Sequence, residues 1–293
     1  MKVNALAPWY GSNRMLAHRV GELLEGCSWV GVPFAGSLAE VPHITARSIV
    51  VNDLHRDIIN LAMVTAHPVM GPKLYRHLRR LPFHPHALAD ARGIVDQDWT
   101  SWEMPNFNRA LGYFVSCWMN RSALAGTDGE FRGGLPVRWS ATGGDSAVRY
   151  RSAVHSLIEW RRVLAKCNFT CLDVFEFLGK CLDAPTSGIY LDPPFPTVGE
   201  KYRHKMTEEQ HCDLAAVLCD KFQQTRIVCR FYDHPLVRKL YHPDFGWHWL
   251  HIAGGRTQAN ETAPEVLLVR NHLKFPAQNS INTDTTEEAN TTE

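Results

Sequence analysis

Trp29-Val30-Gly31-Val32-Pro33-Phe34-Ala35-Gly36-Ser37 and Ser48-Ile49-Val50-Val51-Asn52-Asp53 read as two short apolar strands, each running straight into turn residues. Runs of this length, rich in β-branched residues and bounded by turn signals, suit strands buried on both faces. The first is expected to span Ser28 to Val32 and the second Ser48 to Val51. Further strands are expected at Asn168 to Leu172, Gly188 to Leu191, Thr225 to Phe231, His248 to Ile252 and Glu265 to Arg270. Helical patterns fill the intervals at Met15 to Leu24, Asp57 to Ala66, Phe107 to Met119, Val148 to Lys166 and Glu208 to Phe222, the last entered through Thr207 as an N-cap. Short strands alternating with longer helices predict an α/β fold, a largely parallel sheet covered by helices on both faces.

Between Gly71 and Gly144 that alternation breaks down. The stretch is dense in Pro, Gly, Arg and Trp, and GTDGEFRGGLPVRWSATGGD (126 to 145) reads as loops or a small hairpin. Residues 71 to 150 are therefore expected to form an inserted, mainly helical and loop region. Residues 1 to 70 and 151 to 275 then form the sheet domain, and 276 to 293 a disordered acidic and polar tail.

The chain has 293 residues, 31 Lys and Arg against 30 Asp and Glu, and a net charge of +1. Asp284, Glu287, Glu288 and Glu293 lie in the Thr/Asn-rich tail; with these four set aside, the remainder carries +5. Lys73, Arg76, Arg79, Arg80 and Arg92 face Asp90 alone in their segment. Seven arginines lie between 121 and 162, interleaved with Phe131, Trp139, Tyr150 and Trp160. Such clusters are either solvated surface or a footprint for a polyanion. No apolar run reaches the roughly 20 residues that span a bilayer, and the start lacks the apolar centre of a signal peptide. The expected location is cytoplasmic. The eight cysteines contain no C-x-x-C pair and are expected to be reduced thiols, while the fifteen histidines show no ligand spacing, so neither a metal nor a membrane partner is expected.

The sharpest chemical signal is Asp192-Pro193-Pro194-Phe195, directly after Ile189-Tyr190-Leu191. A carboxylate and the Pro193 carbonyl at a strand end offer two acceptors to a flat exocyclic amine, Pro193 brings no competing N–H, and Phe195 offers a stacking face. A proline turn capping the strand, with Phe195 in the core, is the structural alternative. Gly36 permits close approach of the backbone to a ligand. Asp53, at the end of the second strand, suits two ribose hydroxyls, or else a helix cap. Asp173, in Cys171-Leu172-Asp173-Val174-Phe175, could accept from an adenine amine while Val174 packs on the ring, and an acid opening a helix would look the same.

Trp9-Tyr10-Gly11-Ser12-Asn13, Pro33-Phe34-Ala35-Gly36-Ser37, Asn52-Asp53, Asp173 and Asp192-Pro193-Pro194-Phe195 occur in the order that resembles the Dam-like N6-adenine DNA methyltransferases. Tyr202, the His211-x-x-Leu214 pattern, Phe231 to Pro235 and Glu265 to Leu268 extend the resemblance over roughly residues 8 to 270 apart from the insertion. It implies a Rossmann-like methyltransferase sheet and S-adenosylmethionine as cofactor, held by Trp9, Tyr10, Gly11, Pro33, Phe34, Ala35, Gly36, Ser37, Asp53, Asp173, Val174 and Asp192. Asp192, Pro193 and Phe195 would be catalytic. The inserted region would recognise the target, in double-stranded DNA. Arg121, Arg132, Arg138 and Arg149 are the expected DNA contacts, and a monomer or weak dimer in a bacterial cell or phage-infected host the expected setting. Three positions depart from the family pattern: Val32 stands where an acid is usual, Asn13 lies where a lysine is usual nearby, and Phe195 replaces a commoner tyrosine. Methylation of cytosine N4 or of adenine in RNA would use the same motifs. A silent DNA-binding homologue and, more distantly, a nicotinamide oxidoreductase are the rival classes.

Overall fold

The structure, a computed structural model, describes residues 5–12, 14–99, 105–120, 125–141, 144–196, 201–252 and 265–272. Its strands are β1 (Trp29–Val32), β2 (Ser48–Asn52), β3 (Cys167–Thr170), β4 (Ser187–Leu191), β5 (Arg226–Tyr232), β6 (His248–His251) and β7 (Glu265–Arg270). They form one sheet in the order β3-β2-β1-β4-β5-β7-β6. The first five strands pair parallel, and β7 runs antiparallel to both β5 and β6. From β1 the chain steps outward to β2 and β3, then returns to lay β4 on the other side of β1. This reversal opens a crevice at the carboxyl ends of β1 and β4, where open parallel sheets bind ligands.

Successive strand residues point to opposite faces. Val30, Val32, Ile49, Val51, Tyr190, Val228 and Leu267 join one apolar core with α1 (Ala17–Leu23), α2 (Arg56–Ala66), α5 (Phe107–Trp118) and α6 (Ser146–Leu164). Ile189, Leu191, Ile227, Cys229, Val266 and Leu268 join the other with α7 (Val174–Lys180), α8 (Glu208–Lys221) and α9 (Pro235–Leu240). The protein is thus α/β, a seven-stranded mixed sheet with helices on both faces, compatible with a Rossmann-like arrangement. Thr207 caps α8 as expected, in a reciprocal pair with Gln210.

Two helices that the sequence pattern did not single out lie in the 71 to 150 stretch: α3 (Met70–Arg80) and α4 (Pro85–Val95). In α3 only Gly71, Leu74 and Leu78 are buried, a narrow apolar stripe on an otherwise mostly basic or polar helix. Pro85 opens α4 in the first turn, where its missing N–H costs nothing, and His84 caps it. α3 packs on α2 and α6, and α4 packs on α5. Leu74, Leu78, Leu88 and Ala91 belong to the same core as β1 and β2. Residues 125–141 form a short run of turns followed by irregular backbone, tied to the rest by isolated bridges Trp9 to Ala125 and Thr127 to Tyr202. The tail lies outside the described residues.

Candidate active site

The carboxyl end of β2 organises the turn that follows β1. Asn52, 1% exposed, donates through its amide nitrogen to the carbonyls of Pro33 at 3.0 Å and Leu172 at 2.9 Å. Its amide oxygen accepts from Leu172 N–H and the Thr170 hydroxyl, each at 2.8 Å. One side chain therefore ties together the ends of β1, β2 and β3. The Asn52 carbonyl accepts from Ala35 N–H, and Asp53 accepts from Gly36 N–H and His55 N–H, each at 2.8 Å. Burial pushes the Asp53 carboxyl up, against the pull of those two amides. With one amide on each oxygen, the group keeps lone pairs for a ligand. His55, not Asp53, is the N-cap of α2.

Trp9 closes over this turn. A Cβ on Gly36 would stand 3.0 Å from the indole nitrogen, and one on Gly126 would stand 2.4 Å from the benzo ring, so the indole slots between two glycines. Across the crevice Asp173 caps α7 by accepting from Phe175 N–H at 2.8 Å, realising the structural alternative while remaining at the cavity wall. These groups line a single cavity, with about 120 Å³ open to the centre of a water molecule. Every residue expected to hold a cofactor borders it, from Trp9 through the Pro33–Ser37 turn to Asp53, Asp173, Val174 and Asp192.

Asp192, at the end of β4, does not stand alone. Arg230 of β5, only 5% exposed, donates to both Asp192 oxygens at 3.0 and 3.3 Å, to Glu265 at 2.7 Å and to the Gly11 carbonyl at 2.9 Å. Burial opposes charge on Arg230, but Asp192, Tyr190 and Glu265 outweigh it and hold the guanidinium more firmly protonated than usual. Burial raises the Asp192 carboxyl, and Arg230 pulls it back down. Pro194 borders the cavity, whereas Pro193 and Phe195 are not part of its lining. The Phe195 ring packs against Tyr232 at 4.6 Å between centroids, with Phe231 at 6.0 Å and the Arg230 guanidinium 5.3 Å from its centre. The half-buried Phe195 ring thus packs beside the Asp192 to Arg230 pair and against the edge of the core, not within it.

Several lining groups were not picked out from the sequence. Glu40 borders the cavity at 4% exposure, with the Tyr190 hydroxyl 3.5 Å from one of its oxygens. Burial, helped by the charge of Asp192, pushes its carboxyl up to about 8. His204, Lys205 and Met206 border the cavity from the segment leading into α8, and Gln210 from its first turn. Behind Trp9, buried His55 pairs with Glu130 at 3.2 Å, and Arg203 meets the same carboxylate at 2.8 Å. Burial works against the His55 cation but Glu130 raises its pKa overall, while the His55 partner keeps Glu130 below its usual range despite burial.

Arg132, Arg138 and Arg149 are exposed. Arg149 reaches the Asn120 carbonyl at 3.2 Å, and Arg138 folds onto the Ser140 and Ala141 carbonyls. Partial desolvation and then the positive charge of Arg149 lower the pKa of Arg14. Trp139 is 91% exposed next to Arg138. Arg121 and Asn13 lie outside the described residues. All eight cysteines are free, with Cys212 exposed. Among the described residues no cluster of His, Cys, Asp or Glu is suited to a metal, and no helix is long and apolar enough to cross a membrane. No protein-family model and no curated protein matches the sequence.

Proposed function

We propose that the chain is an S-adenosylmethionine-dependent methyltransferase that methylates the exocyclic N6 amine of adenine in double-stranded DNA. The observation that carries this reading is the gathering of the glycine turn, Asp53, Asp173 and Asp192 around one cavity at the reversal point of the sheet. Four separated motifs reach one place because each follows the carboxyl end of a different parallel strand.

The residues present suit an adenosyl cofactor. Gly36 leaves the space that a Cβ would take beneath Trp9, Asp53 keeps acceptor capacity for a ribose diol, and Asp173 with Val174 offers an acceptor beside an apolar surface. When bound, S-adenosylmethionine would supply a methyl group already activated on sulfonium, leaving S-adenosylhomocysteine. The work of the chain is positioning. Asp192 accepts a hydrogen bond from the target amine and favours positive charge developing on its nitrogen, and the surplus amine proton leaves toward that carboxylate or to water. Arg230 fixes the carboxylate and, with Phe195 packed on it, stops it turning away. The exposed arginines and Trp139 suit phosphate contact and base stacking around an adenine drawn out of the duplex.

Tritiated S-adenosylmethionine, duplex DNA and the full-length protein should give labelled N6-methyladenine on nucleoside mass spectrometry. Asp192→Ala should abolish transfer and keep cofactor affinity within a few-fold. Turnover retained by that variant would make the acid structural. Label in N4-methylcytosine or in RNA would reassign the substrate, and DNA retardation in gels without any label would favour a silent binding protein.

A further inference from the structure

We propose that Glu40 receives the cationic end of the ligand in this cavity, which on the methyl-donor reading is the α-ammonium group of the methionyl part. The inference rests on that reading and adds a residue to it. Glu40 is 4% exposed and borders the cavity together with Gly36, Ser37 and Asp192. A carboxyl so buried is costly as an anion unless paired, and among the described residues no cation lies within 4.0 Å of it. The nearest guanidinium, Arg230, is already shared by Asp192 and Glu265. The other cavity carboxyls are engaged differently: Asp53 by two backbone amides, Asp173 by the first turn of α7.

Backbone geometry points the same way. Leu38, fully buried, holds φ +59°, a left-handed conformation that is strained for a residue with a side chain. Its N–H bonds the Ala35 carbonyl at 2.7 Å, and its carbonyl accepts from Val41 N–H at 3.1 Å. These bonds fold the chain back so that Glu40 returns to the cavity wall. At the end of β1 itself, Val32 is apolar and wholly buried in the core. The carboxyl is thus supplied from the exit of the turn instead of the end of β1.

The charged and titratable groups facing Glu40 are Asp192, Arg230 and Tyr190; burial and then Asp192 push its carboxyl up to about 8, against the pull of its own backbone N–H, Arg230 and Tyr190, so it is mostly neutral at pH 7 in the free protein. Binding of an ammonium group would then convert Glu40 from carboxylic acid to carboxylate and release one proton to the buffer.

Calorimetry on the full-length protein tests this with S-adenosylhomocysteine and its deamino analogue, which differ only in the amino group. Glu40→Gln should weaken S-adenosylhomocysteine by about 10- to 100-fold, the range for a buried charge-assisted hydrogen bond, and leave the deamino analogue within about threefold. Its unchanged affinity also serves as the check that the variant is folded. In the wild type, the apparent enthalpy with S-adenosylhomocysteine at pH 7 should change with the ionisation enthalpy of the buffer by close to one proton. Equal losses for both ligands, or no loss, overturn the proposal alone, and so does wild-type binding without proton release should Glu40→Gln fail to fold. A wild-type protein that binds neither nucleoside overturns the proposal together with the methyl-donor reading.

Discussion

Exchange of one amide for one carboxylate, Asn52→Asp, isolates what holds the site together. The side chains are nearly the same shape, so no cavity forms. Two donors vanish: the bonds to Pro33 O at 3.0 Å and Leu172 O at 2.9 Å are replaced by oxygen facing oxygen. Each buried carbonyl left without its partner costs about 1–3 kcal/mol, so the variant should lose roughly 2–6 kcal/mol, a large part of the ~5–15 kcal/mol that holds a typical domain. Protonation restores one donor, so the folded protein holds the new carboxyl above its unfolded pKa. For such an acid the penalty is smallest below that pKa and grows as pH rises through the folded value. Urea unfolding followed by tryptophan fluorescence at pH 5 and pH 8 measures both effects. A loss below about 1 kcal/mol at pH 8, or equal losses at the two pH values, would show that Asn52 does not tie the three strand ends as described.

Arg230→Met should destabilise the protein by about 3–5 kcal/mol, because it strands Asp192 and Glu265 in the interior. Without the guanidinium that holds Asp192 down, that carboxyl titrates higher, so the deficit should shrink between pH 8 and pH 5 in thermal melts; a pH-independent deficit would count against the charge argument. Gly126→Ala places a methyl 2.4 Å from the Trp9 ring at a φ of +84°. It should lower the affinity for S-adenosylhomocysteine at least tenfold in calorimetry, and unchanged affinity would mean that the indole is not part of the binding surface.

Much of the site was readable because it is built from strand ends. Gly36, Asp53, Asp173 and Asp192 each follow a run of apolar residues, and a parallel sheet brings such positions to one edge whatever separates them in sequence. Arg230 was missed although Ile227-Val228-Cys229-Arg230-Phe231 carried a clue: a charge in the middle of a buried strand requires a partner, and two acids supply it. Glu40 gave no signal, because its return to the cavity depends on the left-handed turn at Leu38, a conformation that sequence patterns assign to glycine. Asp173 and Phe195 show the limit of motif reading, since one caps a helix and the other packs on Tyr232. Helix α3 went unread although its residues segregate sharply, because its buried stripe is narrow, Gly71, Leu74 and Leu78 alone, and lies among basic and polar residues.

The position of β7 has a consequence for biosynthesis. It follows β6 in the chain yet sits inside the sheet, with β5 on one side and β6 on the other. While the polypeptide emerges from the ribosome, the outer rim of β5 stays bare and β6 has nothing to zip onto until residue 270 has been made. Nascent chains halted before that point would display an open, sticky β-edge, the kind of unpaired surface that invites aggregation.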